Sequence, residues 1–195
     1  MTGVVHVICA SLRPDADETA VAHALELAHG LREADRAEHV VVGRSAGALT
    51  AVSWLRDRDS LEPFAASPAH MSFIMRGLAP CIAGMWSAAV ESDATPDPAP
   101  KALWVFALRD AGTLYEWQVR DLLRSVEALP GTAAVGPTIE ERERYRAGGV
   151  VNLHQDEIDA FREALPRSLT GIAEIAALLV HEFVPVHSPG AAQQA

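Results

Sequence analysis

Apolar positions fall into short runs of two kinds, and their order predicts the elements of the chain. Val4 to Leu12 is apolar and β-branched at both parities, with Pro14 and Asp15 closing it, which predicts a strand buried on both faces. Ala20, Ala24, Leu27, Ala28 and Leu31 then recur at helical spacing, behind Asp15, which stands three residues before Glu18 in a capping arrangement. His39 to Arg44 and Leu49 to Leu55 predict two strands joined by the turn Ser45-Ala46-Gly47. Asp59 is expected to cap a short helix from Leu61 to Ala66, with Glu62 as the reciprocal acid. Pro68 restarts a helix carrying Met71, Ile74, Met75 and Leu78, and Met85 to Val90 forms a fourth strand.

The run SDATPDPAPK, residues 92–101, supports neither a packed helix nor a central strand and reads as a linker between domains 1–91 and 102–186. Residues 187–195 read as a flexible tail. Beyond the linker the order repeats: a strand from Ala102 to Leu108, a helix from Tyr115 to Leu129 ended by Pro130-Gly131, an exposed strand from Thr138 to Arg146, a short buried strand from Gly149 to Leu153, a helix from Asp156 to Ala164, and a strand from Leu178 to Val186. Both halves read strand, helix, strand, strand, helix, strand. That order predicts an α+β fold of two tandem ferredoxin-like units. Each unit leaves one sheet face bare, so the two antiparallel sheets are expected to pack face to face as an intrachain dimeric α/β barrel, an internal pseudo-dimer that leaves further homo-oligomerisation open.

Composition narrows the functional classes. The net charge of -10, from 16 Lys and Arg against 26 Asp and Glu, argues against nucleic acid and anionic membrane surfaces as partners. No run of ~18 apolar residues exists, and residues 1–21 lack a secretory pattern, so a cytoplasmic location is expected. Cys9 and Cys81 sit in apolar surroundings and read as reduced, buried thiols that set no metal framework. His23, His29 and His39, with Glu26 and Glu33, form no closed metal constellation and read as solvated surface. Arg142, Arg144 and Arg146 alternate with Glu141 and Glu143 as on a solvent-facing strand edge. His154 and His181 read as structural.

The run DRDSLEPFAASPAHMSF, residues 57–73, resembles the stress-responsive dimeric alpha/beta-barrel (Dabb) family, in which an acidic turn and a short helix precede Pro-x-His and an aromatic. His6 on the first strand, Pro14, the hairpin around Gly43 and the spacing from Pro68 to Met85 fall where that family has them. In the second half Leu165-Pro166-Arg167 replaces Pro68-Ala69-His70, so chemistry carried by His70 is not expected there. The family is similar in fold to antibiotic-biosynthesis monooxygenases and includes polyketide cyclases that use neither metal nor organic cofactor. The resemblance implies His70 as acid/base and His6 in the pocket, whereas Phe64 stands where those cyclases carry a tyrosine.

On the residues alone, His70 can abstract a proton beside a carbonyl, or merely bond nearby backbone at a helix start. His6 shares parity with Val4 and Ile8, and is either a pocket imidazole or a core histidine satisfied by its neighbours. Trp54, Phe64, Phe73 and Trp86, with Met75 and Met85, are core residues that would line a cavity of a few hundred cubic ångströms if one exists, suited to a small hydrophobic or aromatic ligand. Gly43-Arg44-Ser45-Ala46-Gly47 satisfies the G-x-S-x-G nucleophile pattern, but Thr50, Val52 and Trp54 favour a strand where an elbow needs a helix, and no oxyanion-loop signature precedes it. The expectation is a cofactor-independent, cyclase-type enzyme with catalytic His70 and His6. A non-catalytic, stress-associated binding barrel is the alternative, and a cofactor-free monooxygenase the third reading.

Overall fold

The computed structural model describes residues 2–45, 47–97, 103–110, 116–128, 132–139, 145–152 and 176–186. The expected helix 156–164, Leu165-Pro166-Arg167, His154, the tail 187–195 and the end of the linker lie outside the described residues. The first half runs β1 (Gly3–Leu12), α1 (Glu18–His29), β2 (Ala37–Arg44), β3 (Ala48–Leu55), α2 (Leu61–Ala65), α3 (Pro68–Ser72) and β4 (Ile82–Ser92). The second contributes β5 (Leu103–Asp110), α4 (Glu116–Glu127), β6 (Thr132–Pro137), β7 (Tyr145–Asn152) and β8 (Ala176–Pro185).

The architecture is α+β, with antiparallel ladders in the order β4-β1-β3-β2-β8-β5-β7-β6. Each half orders its strands the same way, so β2 meets β8 at one seam and β6 meets β4 at the other. At the first seam Gly43 pairs with Pro185, and the Val186 amide donates to the Val42 carbonyl at 2.8 Å. At the second Val90 bridges Thr138, and the Ile139 amide donates to Ala89 at 3.0 Å. The two seams, a two-residue ladder and a single bridge, join the edges of the two sheets into a barrel.

Strand alternation sorts the apolar residues of the first half between two cores. One fills the bore, where Val5, Val7 and Cys9 of β1 meet Val52, Trp54, Leu103, Val105 and Val150 across the two sheets. The other lies between the first sheet and its helices, where Val4, Ile8 and Ala10 meet Val21, Ala24, Leu61, Phe64, Phe73 and Leu78. Burial of a large apolar side chain stabilises by roughly 1.5–3 kcal/mol, and Phe64 and Phe73 are fully buried in this second core.

Two glycines permit close approaches. A Cβ on Gly77 would meet the Ala24 Cα at 3.2 Å, so its absence lets the turn after α3 lie directly on α1. Gly149 has φ +146°, and a Cβ there would fall 2.2 Å from the Ala134 carbonyl oxygen.

Several sequence expectations need correction. Asp17, not Asp15, caps α1, by accepting from the Thr19 amide. Asp57, not Asp59, anchors the turn before α2, taking the Ser60 hydroxyl at 2.5 Å. Most of the run expected as an exposed strand, residues 140–144, lies outside the described residues; β6 at Thr132–Pro137 is not among the expected strands, and its Gly136 lies against Val90 and Glu91 of β4. Gly43 to Gly47 spans a β-hairpin, with the Ser45 amide donating to Ala48, so strand follows strand and no nucleophile elbow forms.

Candidate functional site

β1 carries His6 opposite Ser53 of β3 and Ala89 of β4, on the helix-covered face. The second histidine comes from a differently built element. Pro68 occupies the first turn of α3, where its missing N–H is harmless, and the Ser67 hydroxyl caps that turn by accepting from the His70 amide at 3.2 Å. A π-type turn, Phe73–Leu78, continues the helix and packs onto α1. This course brings His70 down onto His6.

The two imidazole centroids are 5.9 Å apart with planes at 47°. Phe64 packs against both in T-shaped arrangements, at 5.3 Å from His70 and 6.0 Å from His6. Both histidines are buried, at 7% and 9% exposure. His6 Nδ1 and both ring nitrogens of His70 lack hydrogen-bond partners. Burial, and then the neighbouring His70, pull the His6 pKa down to about 3. Burial also lowers His70, against a smaller opposing pull from the Ala65 backbone, which is near enough to favour the imidazolium but makes no bond of normal hydrogen-bond geometry to either ring nitrogen. Both rings are therefore neutral at pH 7. A neutral imidazole has one donor and one acceptor nitrogen, so the pair can grip a hydroxyl or carbonyl from two directions. It can also take a proton wherever the resulting imidazolium is paired with the anion it creates.

The predicted residues divide between the two faces. His6, His70, Phe64 and Phe73 come together on the helix side. Trp54 and Trp86 face the bore, since Trp54 stands opposite Val5 and Trp86 opposite Cys9. Met75 and Met85, at 61% and 45% exposure, line no cavity wall and face solvent. Phe64 closes on both rings without a hydroxyl. An open groove of about 420 Å³ lies at one end of the barrel; of the residues named as possible cavity lining only Trp54 borders it, and the imidazoles do not. His39, read as solvated surface, is half-buried with its ring 5.4 Å from that of Trp54. Its place at the head of the Val40-Val41-Val42 run was the available signal.

Neither thiol is primed for nucleophilic attack. Burial raises Cys9 to about 11 while the Thr50 hydroxyl lies 3.7 Å from its sulfur, and the Cys81 thiol donates to the Gly77 and Leu78 carbonyls. Both are free and buried, as expected. Among the described residues no cluster of three His, Cys, Asp or Glu could hold a metal ion, and no helix is long and apolar enough to cross a membrane.

The described strands of the second half repeat the strand order of the first. Leu103 and Val105 face the bore, so Trp104, Phe106 and Leu108 occupy the opposite face of β5. His181 lies on β8 opposite Val105.

No protein-family model and no curated protein sequence matches the chain. Solved structures do. An anthrone oxidase-like protein superposes with a TM-score of 0.63 and 12% identity over 95% of this chain and 92% of that one. The fold is the ferredoxin-like dimeric α+β barrel. A candidate monooxygenase from Fusobacterium nucleatum aligns with a TM-score of 0.60 and 12% identity, over 95% and 93% of the two chains. Another from Lactobacillus acidophilus gives 0.57 and 9%, over 95% and 94%. Both halves of the dimeric α+β barrel are thus matched within single chains.

Proposed function

We propose that this chain is a cofactor-independent oxygenase of a small, electron-rich aromatic ligand held between the first sheet and its helices. One observation carries the reading: two neutral, buried imidazoles 5.9 Å apart with three unpartnered nitrogens between them. His70 takes the proton from an activated ring carbon, and His6 holds the adjacent oxygen as negative charge develops there. The imidazolium and the carbanion form together in a water-poor site, where their attraction is strong. The carbanion passes electrons to dioxygen, and an activated CH₂ plus O₂ becomes C=O plus water. Full-length likeness to an anthrone oxidase-like protein supports this choice, as does the absence of a hydroxyl at Phe64.

Ring closure without oxygen is the second reading, favoured by the resemblance of residues 57–73 to the Dabb family, of which we take this chain to be a diverged tandem member. We place it in the cytoplasm on its two free, buried thiols.

Oxygen uptake with anthrone as probe tests the proposal. His70→Ala is expected to lower the rate at least 100-fold, and His6→Ala about tenfold, each assayed well below its own Tm so that the variant is folded. Full turnover by His70→Ala overturns it. Ring closure of a linear polyketide without oxygen uptake selects the cyclase, and anthrone binding without either reaction selects a non-catalytic barrel.

A further inference from the structure

The end of the barrel where β1 starts and β3 and β4 finish carries a second set of unpartnered nitrogens. Residues 93–96 border the opening there and leave the groove of about 420 Å³, within the range of small-molecule sites. A hollow of about 20 Å³, little more than one water in size, is lined by Leu103, Ala134 and Val150 of the second half. Trp54 lines both, so its indole stands between groove and bore.

The His39 ring meets that indole edge to face at 5.4 Å. Trp54 Nε1 and His39 Nε2 are both buried without a hydrogen-bond partner. One such nitrogen is unusual, and two on touching rings call for a shared partner. The charges at the mouth say what kind. Glu38 and Asp93 border the groove, and Arg56, the one Lys or Arg among its lining residues, lies 3.6 Å from the Glu38 carboxylate. The lining thus carries a net negative charge, which disfavours an anion. Burial and nearby Arg32 lower the His39 pKa against the opposing pull of Asp97, so the imidazole adds no positive charge at pH 7.

We propose that this groove binds a neutral, planar aromatic molecule bearing one hydroxyl, its ring against Trp54 and its hydroxyl shared by Trp54 Nε1 and His39 Nε2. The site is independent of the imidazole pair, since His6 faces the other side of the sheet and neither His6 nor His70 borders the groove.

Titration of the full chain with 2-naphthol, followed in the indole region of a ¹⁵N NMR spectrum, tests this. The Trp54 resonance is identified by its loss in Trp54→Phe. It is expected to shift saturably while that of Trp117, exposed on α4, stays in place. His39→Leu should weaken binding at least tenfold, 2-methoxynaphthalene should bind the unaltered chain at least tenfold more weakly, and His70→Ala should bind as the parent does. A Trp54 signal that stays fixed at saturating naphthol overturns the proposal, as does equal affinity for the methoxy compound. A shift abolished by His70→Ala overturns it too, by assigning the naphthol to the helix side.

Discussion

Alternate residues of β1 enter two different interiors. Val5, Val7 and Cys9 point into the bore, which eight strands surround and which aliphatic side chains fill together with Trp54 and Trp86. Val4, His6 and Ile8 point under α1, α2 and α3, where a histidine pair sits among phenylalanines. The walls differ as much as the contents. Opening the bore breaks ladder hydrogen bonds, whereas lifting short helices from a sheet breaks only side-chain contacts. Polar groups that await a ligand can be kept on the second face at a tolerable cost in stability. The corresponding face of β5 offers Trp104, Phe106 and Leu108, so among the described residues the matching strand of the second sheet presents no imidazole there.

The sharpest way to break the bore is at Gly149. An added methyl group would lie 2.2 Å from the Ala134 carbonyl oxygen and 2.8 Å from the Val135 Cα, on a backbone with φ +146°. Neither atom can move without disturbing the β6–β7 ladder. Gly149→Ala is expected to lose roughly 4 kcal/mol or more, read as a collapse of the thermal transition. Gly30→Ala is the control. That glycine ends α1 with φ -63° and nothing within 4 Å, so the same change there should be neutral or stabilise by roughly 0.5–1 kcal/mol. Equal losses at the two positions would show that the bore tolerates what its geometry forbids.

How far the two faces could be read from the chain follows from the same alternation. In β1 the one polar side chain among apolar ones marks a parity, so the side on which His6 stands was legible. In β3 every residue is buried, and nothing in LTAVSWL says which parity faces the helices. Only the pairing of Val5 with Trp54 puts the indole in the bore, and that register is a long-range property. The proximity of His70 to His6 was legible through the Pro-x-His resemblance alone. β6 was hidden because a strand of small residues with Gly and Pro earns its place from the neighbour it packs on, not from propensity.

Acid should distinguish the faces next. The folded chain holds His6 near 3 while an unfolded chain protonates it near 6.5, so the unfolded state binds the extra proton. Its contribution to stability is complete above pH 6.5 and drains away as pH falls toward 3, roughly 4–5 kcal/mol when fully expressed. Between pH 6 and 4 the stability of the parent should fall more steeply than that of His6→Leu, by about one proton. Carboxylates titrate alike in both and cancel. Parallel curves from denaturant titrations would mean that the imidazole is charged, and hence solvated, in the folded state.

The smallest expected effect concerns what holds His70 over His6. The central strand β1 is paired along its length by β3 and β4, but α3 has only five residues and is capped by one hydroxyl, that of Ser67 on the His70 amide. Ser67→Ala should lower stability by about 1 kcal/mol, or Tm by roughly 2–4 °C, because the first turn then keeps an unpaired donor. Ser67→Asp restores an acceptor at the same place and should recover both. The informative quantity is aromatic turnover measured alongside. A helix start that has loosened lets the imidazole swing away from its partner, so turnover should fall by more than the stability loss alone accounts for, and return with aspartate. If stability falls while turnover is untouched, then packing of Phe64 and Phe73 positions the ring, and the cap serves only the backbone that carries it.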